Sequence, residues 1–112
     1  MKFLPNTSSQ MMGIDTTRAY EYDFNDSDLN LARIELNGRY PDKGYATNTK
    51  VKMACYVMQG SGSLTVEGSL FELESGDACI IEPGERYFWD AEMILLITST
   101  PPWNKEQASI EE

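Results

Sequence analysis

The chain contains no histidine. It therefore lacks the one side chain whose ordinary pKa lies close to neutrality. Any proton transfer would fall to a Glu, Lys, Tyr or Cys displaced from its usual pKa. The two cysteines, Cys55 and Cys79, sit in apolar stretches and form no CxxC pair. Both read as small buried hydrophobes. Cys79, inside Ala78-Cys79-Ile80-Ile81, reads as too buried to be reactive. A disulfide needs an oxidising compartment, and nothing in the sequence points to one. Glu82 and Arg86 border a turn, where they either meet a polar ligand or are simply solvated. Lys50 and Lys52 either attract an anion or protect the start of a strand.

The elements that must position these groups read as strands. Val51, Met53, Cys55 and Val57 are alternate apolar positions, so one face of a strand over 51–58 points into a core. Gly60-Ser61-Gly62 is expected to break it. Leu31 to Leu36 alternates and is expected to stop at the turn dipeptide Asn37-Gly38, and Pro41-Asp42-Lys43-Gly44 forms a further turn. Glu67-Gly68 closes a hairpin, with Phe71 and Leu73 of its second arm facing in. Ala78 to Ile81 is a short buried strand. Pro83-Gly84 punctuates the chain before strands over Tyr87 to Ala91 and Met93 to Thr98. The run Met93-Ile94-Leu95-Leu96-Ile97 is continuous enough to be buried on both faces. Before residue 30 the chain is polar. Tyr20, Tyr22 and Phe24 alternate there, as in an edge strand that could cover an open barrel face or a partner. After Pro101-Pro102 at most a short helix is expected.

At 112 residues with 41% apolar content, the chain is one domain able to bury a core. Residues 1–25 read as an N-terminal extension and 26–112 as a barrel with a C-terminal tail. The fold class is all-β, because short strands recur at regular spacing between glycine turns. The net charge of −9 argues against nucleic acid and anionic membranes as partners. The start is unlike a signal peptide, and no stretch approaches the ~20 apolar residues of a membrane helix. The cytoplasm is the expected location.

The order Tyr56-Val57-Met58-Gln59-Gly60-Ser61-Gly62, then Gly68, Gly76-Asp77 and Glu82-Pro83-Gly84, resembles the glycine ladder of a small cupin. The resemblance runs from Gly38 to about Gln107. It implies a double-stranded β-helix, a jelly-roll-like barrel, in which three histidines and a glutamate usually hold iron, manganese, nickel or zinc. In the second family motif Gly76 and Gly84 are kept, Tyr87 takes the histidine position and Ala91 the asparagine position. In the first motif Met53 takes the glutamate position. Its two histidine positions fall on Thr47 and Thr49, on Ala46 and Asn48, or on Lys50 and Lys52, depending on register. The expectation is no metal and no other cofactor. The histidine base of metal-free cupin epimerases and isomerases is missing as well.

The same alignment points Met53, Cys55, Tyr87 and Trp89 inward. They would make an apolar, aromatic lining whose phenol and indole N–H are polar handles, or a filled core without a cavity. The first reading is a metal-independent protein that binds a small molecule, a sugar or small organic acid. The alternatives are a metal-independent isomerase or lyase using Tyr87 with a carboxylate or Cys55, and a structural dimer without ligand. A homodimer is expected in any case, with Trp103 packing on the barrel or a neighbouring subunit.

Overall fold

The computed structural model describes residues 1–112, apart from the side chain of Ile14. Its strands are β1 (Gln10–Ile14), β2 (Thr17–Tyr22), β3 (Asn30–Tyr40), β4 (Tyr45–Asn48), β5 (Lys52–Val66), β6 (Ser69–Glu74), β7 (Ala78–Ile81), β8 (Tyr87–Thr100) and β9 (Ala108–Glu111). All pairings are antiparallel, and the strands form one curled all-β sheet, as the expected barrel requires. No helix is long and apolar enough to cross a membrane.

β8 is the spine. Its residues Tyr87, Trp89, Ala91, Met93, Leu95, Ile97 and Ser99 are all buried, and those between them are half-exposed or exposed. This is the period of two that a strand imposes. β3 pairs with one edge of β8 and β5 with the other. Val51, Met53, Cys55 and Val57 join the same core. The Glu67-Gly68 hairpin forms as expected: both residues adopt positive φ, and Val66 pairs with Ser69.

Several local expectations give way to this long-range pairing. Gly60-Ser61-Gly62 does not end a strand, because β5 runs through it with an irregularity between Val57 and Gln59. The glycines serve close approach instead. A Cβ at Gly60, whose φ is +92°, would overlap the Glu92 carbonyl, and one at Gly62 would overlap Ala91. Asn37-Gly38 is likewise no turn, for β3 continues to Tyr40 against β8. The two strands expected over 87–98 are one. The run Met93 to Ile97 is buried on one face only, with Ile94 and Leu96 half-exposed on the other.

β7 is also not a buried strand. It pairs only with β5, leaving Ala78 and Ile80 exposed and Cys79 half-buried. Phe71 is exposed, whereas Leu73 packs against the core. The N-terminal segment does form strands, but only β1 lies at the sheet edge; β2 pairs with β1 on one side and with β3 along its whole length on the other, so it is continuous with the barrel sheet. Its inner face carries Thr17, Ala19 and Glu21, which line the interior. Tyr20 and Tyr22 therefore face out, and Tyr20 lies 4.2 Å beneath the Arg33 guanidinium. Beyond a short 3-10 turn at Lys105–Gln107, the C-terminal tail is a strand rather than a helix, and it pairs with β4.

Candidate functional site

The curled sheet encloses a cavity of about 320 Å³. β8 supplies Tyr87, Trp89, Leu95, Ile97 and Ser99 to its wall. β3 supplies Tyr40 and aliphatic side chains, β2 supplies Thr17, Ala19 and Glu21, and β5 supplies Met53. Met12 of β1 and Trp103 of the tail complete it. Two of the three residues from β2, Thr17 and Ala19, are small, whereas β8 contributes the large Tyr87 and Trp89. Three of the four residues expected inward, Met53, Tyr87 and Trp89, meet in this cavity. Cys55 is buried but does not line it, and stands opposite Cys79 on β7.

A buried polar network closes one end. The carbonyl oxygen of Asn48 accepts from Trp103 Nε1 at 3.0 Å and from Gln107 Nε2 at 2.8 Å. The Asn48 amide nitrogen points to Met53 Sδ at 3.7 Å. The same side chain lies against the Tyr87 phenol. Gln107 pins the tail. Its Oε1 accepts from the backbone N–H groups of Lys50 and Val51, and its backbone carbonyl accepts from Thr49 N at 3.0 Å. Among the described residues no buried side-chain nitrogen or oxygen lacks a partner. Burial pushes the Tyr87 phenol far above its ordinary range, with Tyr40 and Cys55 adding to the rise and the Asn48 hydrogen bond opposing it. Burial also raises the Tyr40 phenol. Both therefore stay protonated near neutrality and can donate a hydrogen bond.

Of the three registers weighed for the first motif, the geometry favours Ala46 and Asn48. Both are buried, and Asn48 meets Met53 and Tyr87. Thr47 instead donates to the Glu85 carbonyl at 3.1 Å. Thr49, Lys50 and Lys52 are exposed. This donor set does not suit a divalent transition metal. The Asn48 oxygen already serves two donors, Met53 offers a thioether, the Tyr87 phenol resists ionisation, and Ala46 and Ala91 offer nothing. Among the described residues no group of three or more His, Cys, Asp or Glu is placed to hold a metal.

Glu82 and Arg86 lie outside the cavity. Glu82 is paired with Lys52 at 3.4 Å, and Arg86 with Glu67 at 3.4 Å. The sequence reading did not single out Glu21, Tyr40, Asn48 as a hub, or Gln107. Trp103 was expected to pack on the barrel or a neighbouring subunit, and in the single chain it packs against the barrel core.

Among the described residues Glu21 is the one carboxyl on the cavity wall, and no Lys or Arg shares that wall. Burial raises its pKa. In a carboxyl so shifted the charged form is the costly one, so the folded state gains stability as pH falls through the raised pKa and is penalised above it. Glu21→Gln is expected to raise the melting temperature at about pH 8 and to give no gain at about pH 4, where both states are protonated. Equal gains at both pH values would contradict this placement.

Comparison with known proteins agrees with the architecture. A family profile for the EutQ-like cupin domain matches residues 43–94. No curated protein sequence matches the chain. Among solved structures, Streptomyces Pac13, described as a nucleoside dehydratase, superposes with a TM-score of 0.90 at 15% identity, covering 100% of this chain and 92% of that one. Variants of it are solved with uridine. KdgF from Halomonas sp. gives 0.73 at 16% identity, covering 95% of this chain and 98% of its own. The polyketide cyclase RemF from Streptomyces resistomycificus gives 0.71 at 16% identity, covering 89% and 79%. At these identities the likeness is one of fold. With the barrel topology, the glycine ladder and the profile match over residues 43–94 in agreement, the chain has the fold of a small cupin.

Proposed function

We propose that this cupin binds a small, uncharged, ring-bearing molecule in the barrel cavity without a metal. The observation that carries the reading is the cavity itself. Its volume, about 320 Å³, lies at the lower end of the range for small-molecule sites. Its wall combines aromatic rings with two phenols held in their donor form. Sugars and nucleosides have apolar faces that suit such rings and hydroxyls that accept from such phenols. The absence of a cationic side chain from the described wall and the presence of Glu21 disfavour a small organic acid, which would enter a largely apolar site without a counter-ion. The fold likeness to Pac13, solved with uridine, supports a nucleoside within this class.

The test is ligand-observed NMR on chelator-treated protein with uridine, neutral monosaccharides and their phosphate and carboxylate derivatives. Saturable binding of neutral members is expected, without added metal. Preference for the anionic derivatives, or binding restored only by a metal, would overturn the reading.

A second reading, a metal-independent lyase, is favoured by Glu21. It is a carboxyl of raised pKa on the same wall as Tyr40 and Tyr87, which suits a proton acceptor facing two donors. Deuterium uptake from D2O into a carbon position of the bound compound, lost in Glu21→Gln, would support it.

A further inference from the structure

Cys55 on β5 and Cys79 on β7 are direct partners in the antiparallel register. Side chains opposite one another in such a pair project from the same face, with Cβ atoms about 4.5–5.5 Å apart. Cα spacings of such pairs, about 4.5 to 5.5 Å, lie within the range a disulfide spans, and the Cβ atoms must close to about 3.5–4.5 Å for the bond to form. Both thiols are free. Their surroundings differ. Cys55 is only 3% exposed, whereas Cys79 is half-buried on a strand that is paired on one side alone. Contact between the two thiols lowers the pKa of Cys79 and raises that of Cys55, and burial adds to the rise at Cys55. The accessible sulfur is thus the more readily ionised, and the buried one waits beside it.

We propose that Cys79 is an oxidative modification site, with Cys55 as its resolving thiol and a low-molecular-weight disulfide as the oxidant. The Cys79 thiolate attacks one sulfur of the small disulfide, forming a mixed disulfide and releasing one thiolate, which takes up the proton Cys79 lost. Cys55 then loses its proton, attacks the Cys79 sulfur and expels the second small thiolate, which takes up that proton. Two protein thiols are oxidised to one disulfide, and the small disulfide is reduced to two thiols. The new bond ties the edge strand β7 to β5. It forms beside the cavity wall, because Cys55 pairs across β5 and β8 with Ile97, which lines the cavity. The inference stands apart from the identity of any ligand.

The experiment is incubation of the reduced, full-length protein with oxidised glutathione, followed by intact-mass analysis and non-reducing electrophoresis. Loss of both thiols is expected, with a mass lower by two hydrogens, no glutathione retained and a single chain on the gel. The melting temperature should rise by on the order of 10 °C and return on addition of dithiothreitol. Cys55→Ser should stop at a stable glutathione adduct on Cys79, and Cys79→Ser should form none. Three outcomes would overturn the proposal: both thiols surviving in the folded protein under conditions that oxidise the urea-unfolded chain, stable glutathionylation with Cys55 still free, or chains cross-linked to one another. The wild-type result decides the matter even if Cys55→Ser does not fold.

Discussion

Replacing Asn48 with alanine is expected to destabilise the fold by about 3 kcal/mol, more than any exposed substitution in this chain. Asn48 is only 4% exposed, and its oxygen accepts from both Trp103 and Gln107. Removing it leaves two donors without an acceptor, each costing roughly 1–3 kcal/mol when water cannot reach it. Trp103 is half-buried, so its share belongs at the low end. Gln107 is 6% exposed; its amide nitrogen keeps its bond to the Asn104 carbonyl at 3.1 Å, but the N–H that faced Asn48 is left buried without an acceptor. The deletion also opens space against Met53 and Tyr87. In urea titrations the midpoint should fall with the slope unchanged. Amide exchange should accelerate first in β9, which the Asn48–Gln107 contact anchors. Thr49→Ala is the control. Thr49 is exposed and its hydroxyl makes one bond, to the Gln107 carbonyl at 3.1 Å, so its loss should cost under about 1 kcal/mol. If the two variants are equally stable, the network does not hold the tail.

Filling the cavity should have the largest effect on binding. Ala19 lies on β2, faces the cavity and is only half-buried, so a larger side chain there has an exit to solvent. Ala19→Trp is expected to fold, to keep a melting temperature within a few degrees of wild type, and to weaken ligand binding at least 100-fold, which corresponds to roughly 2.7 kcal/mol. The reason is volume. An indole placed in a space of about 320 Å³ leaves too little room for a second ring. Tyr87→Phe removes only one phenol and should weaken binding about 10-fold. A ligand that binds Ala19→Trp as it binds wild type sits elsewhere on the molecule.

The core face of β5 was legible over 51–57 because its burial follows the plain alternation of its residues, whereas on β8 the continuous apolar run Met93 to Ile97 hid the alternation. Met53, Tyr87 and Trp89 were pointed inward by the resemblance to the cupin motifs, which left open whether they line a cavity or fill a core. Other features were hidden by the range of the forces that make them. Gly60 and Gly62 look like strand breakers in isolation, yet β8 pairs across them and needs their missing side chains to come close. Tyr20 and Tyr22 look like the inward face of β2 because they are its most apolar residues. The barrel interior instead takes Thr17, Ala19 and Glu21, and this leaves room for the cavity. Gln107 carried no local signal, since its partner Asn48 is 59 residues away. Asn48 stood among the positions that the family fills with histidine. The sequence marked the place, but the tail that gives it a new role comes only with the fold.

The central claim is that the barrel binds a neutral ring in its cavity without a metal. The most direct measurement is calorimetric titration of chelator-treated wild type and Ala19→Trp, side by side, with uridine and uridine 5′-monophosphate. Saturable binding of the nucleoside by wild type, weaker binding of the phosphate and loss of both in Ala19→Trp is the predicted result. Tighter binding of the phosphate, or binding that survives the filled cavity, would contradict it.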